Sequence, residues 1–269
     1  MAEALTLQLA LLGYLAASGA AFAGLRWRLP AWPLAGGALA LALGLHTLAL
    51  AARWRALGHG PFTTLHEILS SNLWSLALVF AIAATLVRDV RHALWAAAPL
   101  LLLLAAWLVA SDPRAGHFPP TYDTPLLYLH TIVGKLFLGL LLVAVALGAV
   151  PWLRRSAWGA RAARGFPDPA RLDELAHRFA AFAFVFETLM LIVGAVWAQD
   201  AWGRYWAWDP LETWAFATWL ALAIALHARA TWRPSPAAHG AMLAAVFVIA
   251  FLTFFGVPFI STAPHKGAV

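Results

Sequence analysis

The sequence predicts an all-α integral membrane protein, a bundle of about eight transmembrane helices with both termini outside. Three observations carry that expectation. Of 269 residues, 63% are hydrophobic and 11% charged, against roughly 45–50% and about 25% in soluble domains; the mean hydropathy is +0.77. Eight stretches reach the roughly 20 apolar residues that span a bilayer. Lysine and arginine gather on alternate connections. A water-soluble globule is excluded, and 1–269 reads as a single polytopic membrane domain without internal repeats.

The spans fall at 4–25, 33–52, 67–87, 93–111, 125–150, 178–199, 210–229 and 239–258. The first lacks a basic n-region, and its arginines follow it, so it reads as an uncleaved span rather than a signal peptide. Pro30 and Pro33 separate it from the second. Arg88, Asp89 and Arg91 divide the third from the fourth, which Asp112-Pro113 ends. Thr124 before Pro125 is an N-cap with proline at the first helical position. Pro234 and Pro236 precede the last span. The basic stretch 151–177 is read as the one sizeable cytoplasmic loop, a determinant of topology.

Orientation follows from charge. Of eighteen Lys and Arg, one set of connections holds Arg26, Arg28, Arg88, Arg91, Arg154, Arg155, Arg161, Arg164, Arg171, Arg178, Arg229 and Arg233. The other holds Arg53, Arg55, Arg114, Arg204 and Lys266, with Lys135 inside a span. The positive-inside rule puts the larger set in the cytoplasm. The net charge of +6 is thereby explained by topology, and no nucleic acid partner is invoked. With no cysteine, the chain has no disulfide, thiolate metal site or cysteine nucleophile.

Imidazole and carboxylate groups inside a bilayer are costly, so each is a functional candidate. His92, His177 and His239 sit at cytoplasmic helix starts and read as interfacial; His59 and His117 read as solvated loop residues. His46, in the second span, fits either an interhelical hydrogen bond or a functional role. Glu67 and Glu187 fit either a structural hydrogen bond or a polar pathway. His130 lies five residues after Pro125, about one and a half turns below the outer surface. Gly134, one turn on, leaves room beside it for a flat ligand, and Lys135 is placed to snorkel outward toward an anion. His227 near the inner end of the seventh span is either a helix C-terminal histidine favoured by the dipole or an iron ligand. His265 lies in the C-terminal tail beside Pro264 and Lys266.

Residues 202–214, WGRYWAWDPLETW, form an external segment between two spans. Asp209, Pro210 and Glu212 make a helix start with a capping box. Trp202, Tyr205, Trp206 and Trp208 precede that start and exceed what an interfacial anchor needs. A planar aromatic surface suits a planar apolar ligand. A porphyrin is such a ligand, with an iron that takes imidazole and propionates that take Arg or Lys. External His130 and His265, with Arg204 and Lys266, offer those groups.

WGRYWAWDPLETW followed by LHAR resembles the tryptophan-rich WWD motif, WGxxWxWDPxETW, of haem-handling membrane proteins. These are the CcsA/ResC subunit of system II cytochrome c biogenesis and the related CcmC and CcmF proteins. The ETW continuation, the LHAR and the PFTTLHE stretch at 61–67 favour the CcsA/ResC type, although His66 stands where that family usually has an aromatic residue. The resemblance implies that His130 and His265 are the external axial ligands of haem b. At His265 the family commonly shows His-Ser-Tyr, whereas this chain reads His-Lys-Gly. It implies that His227 belongs to an inner haem site whose second ligand comes from a CcsB/ResB partner. It also places Trp202, Gly203, Arg204, Tyr205, Trp206, Trp208 and Asp209 in the haem-binding segment. The implied function is haem transport across the membrane and covalent attachment to a CxxCH apocytochrome c, as a cytochrome c synthase subunit in a bacterial cytoplasmic membrane. The lack of cysteine fits, since the substrate brings the thiols. The alternatives are a CcmC-type haem holder that makes no thioether bond and a structural membrane subunit with a tryptophan anchor.

Overall fold

The computed structural model describes residues 2–116 and 122–260. Among the described residues there is no strand, and eight helices are long and apolar enough to cross a membrane. They are α1 (Ala2–Trp27), α2 (Trp32–Leu57), α3 (Leu65–Leu86), α4 (Leu94–Ala110) preceded by a 3-10 turn (Arg88–Ala93), α5 (Pro125–Leu153), α7 (Pro169–Trp202), α8 (Pro210–Trp232) and α9 (Pro236–Phe255). Two short helices, α6 (Ala157–Ala162) and α10 (Val257–Ile260), complete the order.

Short connections reverse the chain at each step, so residues 58–64, 111–116, 122–124 and 203–209 share one end of the bundle. Cross-loop bonds confirm the grouping. Arg53 at the end of α2 donates to Glu67 (3.0 Å), Glu3 (3.1 Å) and the Pro113 carbonyl (3.1 Å). At the opposite, arginine-rich end, Arg171 pairs with Asp89 and the Trp152 indole donates to the Ala237 carbonyl.

α5 is the central post, buried along most of its length and packed on α3, α7 and α9. Bilayer helices associate through close packing of small residues rather than through exclusion of water, and glycine supplies this twice. A Cβ on Gly139 would lie 2.7 Å from Val79 of α3. A Cβ on Gly240 of α9 would collide with the Gly148 carbonyl oxygen, so α5 and α9 cross backbone to backbone there.

Polar contacts fix the first three helices. His46 bonds Tyr14 of α1 (3.1 Å) and Ser70 of α3 (2.9 Å), so its role is to bridge three helices. Glu67 accepts from Arg53 and from the Thr63 amide (2.9 Å) and hydroxyl (2.7 Å). Loop 58–64 is thereby pinned, and Tyr128 of α5 holds its other side by accepting from the Gly60 amide (3.2 Å) and packing edge-on against Phe62.

One sequence expectation needs correction. The stretch 151–177 is not one loop. α5 continues to Leu153, Ser156 caps α6, and Asp168 caps α7, its side chain accepting from the Ala170 amide at 2.7 Å. α7 is therefore 34 residues, about 51 Å long. That exceeds a hydrocarbon layer of about 30 Å, and its polar first turns, with Arg171, Asp173 and Glu174, supply the excess.

Candidate functional site

The site begins with the start of α5. Thr124 caps the helix by accepting from the Leu126 amide, and Pro125 occupies its first turn, which fixes where residue 130 faces. His130 points at α7, where its Nδ1 lies 3.0 Å from the Met190 carbonyl oxygen. A carbonyl only accepts, so Nδ1 carries a proton. This is the arrangement by which histidine ligands are commonly oriented toward a metal. The ring gets this close because residue 194 is glycine: a Cβ there would be 2.8 Å from both Cε1 and Nδ1 of His130. On its other side the imidazole lies against the Trp197 indole, with centroids 6.0 Å apart and planes 28° apart. Trp197 is itself wedged edge-on by Tyr122 (5.3 Å) and Trp202 (5.0 Å). Burial pushes the Tyr122 phenol above its ordinary pKa, so it stays neutral.

The tryptophan-rich segment joins α7 to α8. Gly203 ends α7 in the left-handed region (φ 73°), with its amide bonded to Gln199. The expected capping box is present: Asp209 accepts from the Glu212 amide (2.9 Å) and Glu212 from the Asp209 amide (3.3 Å). Glu212 does more, since the same carboxylate oxygen accepts from the Ala207 amide at 2.7 Å. The two bonds bracket Trp208, which holds the left-handed conformation (φ 57°) that a bulky L-residue rarely takes.

These elements enclose a cavity of about 250 Å³ between α3, α5, α7, α8 and α9. That volume lies just below the roughly 300–1,000 Å³ usual for small-molecule sites. His130, Trp197, Tyr205, Trp206 and Glu212 line it. The buried Trp206 indole N–H has no hydrogen-bond partner among the described residues. Phe62 and Tyr122 contribute from the neighbouring loops. The cavity floor carries Lys135, whose ammonium donates to Ser71 of α3 at 2.9 Å. The expected outward snorkelling of Lys135 is therefore corrected: it is held inside the bundle. Gly134 lines the cavity, but the room expected beside it is taken by the Met190 sulfur.

The predicted residues separate into groups. His130, Tyr205 and Trp206 meet at the cavity. Trp202 is the last residue of α7 and acts through Trp197, while Trp208 packs edge-on against Trp206 (5.6 Å) and is 66% exposed. Gly203 and Asp209 shape the backbone, and Arg204 is exposed at the rim. His227 sits 17 residues along α8 from Pro210, about 25 Å from the cavity end; it is exposed on the outer surface of the bundle. His117, His265 and Lys266 lie outside the described residues.

Two other histidine expectations change. His59 is buried (8% exposed), its Nδ1 donating to the Gly60 carbonyl at 2.9 Å. His239 is not interfacial but fully buried, its Nδ1 2.6 Å from Asp173, which also accepts from Arg229 at 2.6 Å. That triad ties α7, α8 and α9 at the arginine-rich end. Sequence reasoning missed Trp197, Gly194 and Tyr122. Trp197 had a signal, since it stands five residues before the motif's first tryptophan.

A porphyrin fits the chemistry of this lining: an imidazole oriented through its Nδ1 bond, aromatic walls, an indole donor unpaired among the described residues and a buried lysine amine. The fold and site thus define a multi-pass membrane protein with an aromatic, histidine-bearing cavity at one end of its helix bundle. The chain belongs to the cytochrome C assembly protein family, which matches residues 32–265. It is 32% identical over 238 residues to cytochrome c biogenesis protein CcsA of Chlamydomonas reinhardtii, covering 82% of this chain and 65% of that one. With CcsA of Guillardia theta the identity is 31% over 245 residues, covering 82% and 80%. The solved structure of cytochrome c heme lyase CcmF superposes with a TM-score of 0.69 at 20% identity. The match spans 94% of this chain and 46% of CcmF, and shows a shared fold.

Proposed function

We propose that the chain delivers haem b to the external side of a bacterial cytoplasmic membrane and holds it for attachment to apocytochrome c, as the CcsA-type subunit of a cytochrome c synthase. The observation that carries this reading is His130, oriented by the Met190 carbonyl and stacked on Trp197 at a cavity walled by Tyr205 and Trp206. In this reading His130 and His265 are the axial ligands of the outer haem. Trp206 and Tyr205 lie against the macrocycle, while Trp208 backs Trp206 and Trp202 backs Trp197.

Haem is taken up near His227. Its exposure on the bundle surface suits a site completed by a second ligand from a CcsB/ResB-type partner. At the outer site each thiol of a CxxCH segment adds across one vinyl group, sulfur to one carbon and hydrogen to the other. No oxidant or reductant is consumed, so the chain's contribution is to hold the reactants in register.

The test is spectroscopic. The purified protein, co-expressed with its partner, should carry a histidine-ligated Soret band. His130→Ala should lose the outer haem while His227 still supports any inner one. A His130→Ala protein with an unchanged outer-site spectrum would remove His130 from the ligand set and sink the reading.

A further inference from the structure

The cavity floor holds a lysine amine with no acidic partner among the described residues. Lys135 is on α5, five residues beyond His130 and so about 7.5 Å deeper along the helix axis. Its ammonium has three N–H donors and bonds one oxygen, that of Ser71. Among the described residues no carboxylate lies within ion-pair distance of it. Ser71 offers no charge, since its hydroxyl donates to the Ile68 carbonyl and accepts from the lysine. The neighbouring Asn72 also lines the cavity, its amide nitrogen committed to the Ile68 carbonyl. A lysine within a span normally pairs or faces a polar cavity, and marks a substrate path. Here the ammonium faces the space that His130 and Trp206 also face.

We infer that Lys135, positioned by Ser71, is a carboxylate-binding subsite at the inner end of this cavity and takes a propionate of the porphyrin. The inference rests on the haem reading given above and adds an orientation to it. A propionate drawn down to Lys135 turns the opposite edge of the macrocycle, which bears vinyl groups, toward residues 122–124 and 203–209. That is the end at which a thiol-bearing segment can arrive. Arg204 at the rim is exposed to solvent, so its attraction for a carboxylate is screened, whereas the floor lysine acts where screening is weak.

The full chain in nanodiscs is titrated with ferric haem and with its dimethyl ester, both followed in the Soret band. A hydrogen-bonded charge of this kind predicts that the wild type binds the free acid at least about tenfold more tightly than the ester. Lys135→Met and Lys135→Gln should keep a histidine-ligated band yet bind the two forms within about twofold. Equal wild-type affinities with a normal histidine-ligated band overturn the subsite and leave the haem reading standing. So does a preference kept in both Lys135 variants or lost in Arg204→Ala, which assigns the carboxylate to the rim. Failure of the wild type to give a histidine-ligated band with either compound overturns the haem reading instead.

Discussion

Gly194→Ala separates ligand affinity from stability. The added methyl group would lie 2.8 Å from Cε1 and Nδ1 of His130, whereas carbon contacts settle at about 3.5–4.0 Å. The imidazole must retreat from α7 by about 0.7 Å to restore contact at the near limit. The same retreat stretches the 3.0 Å bond to the Met190 carbonyl to about 3.7 Å, where it no longer counts as a hydrogen bond. Loss of an orienting partner behind a metal ligand typically costs about 10–100-fold in affinity. Alanine meanwhile favours a helix interior over glycine by about 1 kcal/mol, so the fold is not weakened. Expected, then, are haem affinity reduced about 10–100-fold by Soret titration and a thermal midpoint in detergent that is level or slightly raised. Gly44→Ala serves as control, because no atom lies within 4 Å of a Cβ there; it should leave haem affinity unchanged and leave the midpoint level or slightly raised. An unaltered affinity in Gly194→Ala would refute the reasoning that the glycine exists to admit His130.

Two further expectations concern the fold. Glu67→Ala leaves the buried Arg53 guanidinium with only Glu3 and the Pro113 carbonyl and frees loop 58–64; a loss of about 1.5–3 kcal/mol is expected, read as a lowered midpoint in detergent melting, and a loss below about 0.5 kcal/mol contradicts the assignment. Gly240→Val sets a side chain against the Gly148 main chain, which cannot yield, so α5 and α9 must separate; destabilisation at or above the usual overpacking range of about 1–3 kcal/mol is expected, and an unchanged melting curve would show that the two backbones do not meet.

Much of this architecture was legible because hydropathy, caps and charge act locally. Thr124-Pro125 and Asp209-Pro210 named their helix starts, and both caps are made. The same Asp-Pro signal at Asp168-Pro169 was passed over because the turns after it carry Arg171, Asp173 and Glu174; an apolar window sees the lipid-crossing part of α7 and not its polar extension. The aromatic segment and His130 were legible as residue types. What lay beyond reach was partnership across helices. Nothing local says that residue 194 faces residue 130, that Lys135 turns toward Ser71 rather than outward, or that His239 meets Asp173 across sixty-six positions of chain. His46, evenly balanced between two roles by sequence, is decided by Tyr14 and Ser70 on two other helices.

The grip of Glu212 on the tryptophan segment has a mechanical meaning. A left-handed backbone costs an L-residue roughly 1–2 kcal/mol, and Trp208 keeps that conformation while the amides on either side of it are both bonded to one carboxylate. That carboxylate belongs to the first turn of α8 and is part of its cap. The segment therefore cannot swing aside as an independent flap: releasing Ala207 and Asp209 means undoing the cap and fraying α8 by a turn. Opening of the aromatic wall is thereby coupled to release of the α8 cap, because both draw on the same Glu212 carboxylate.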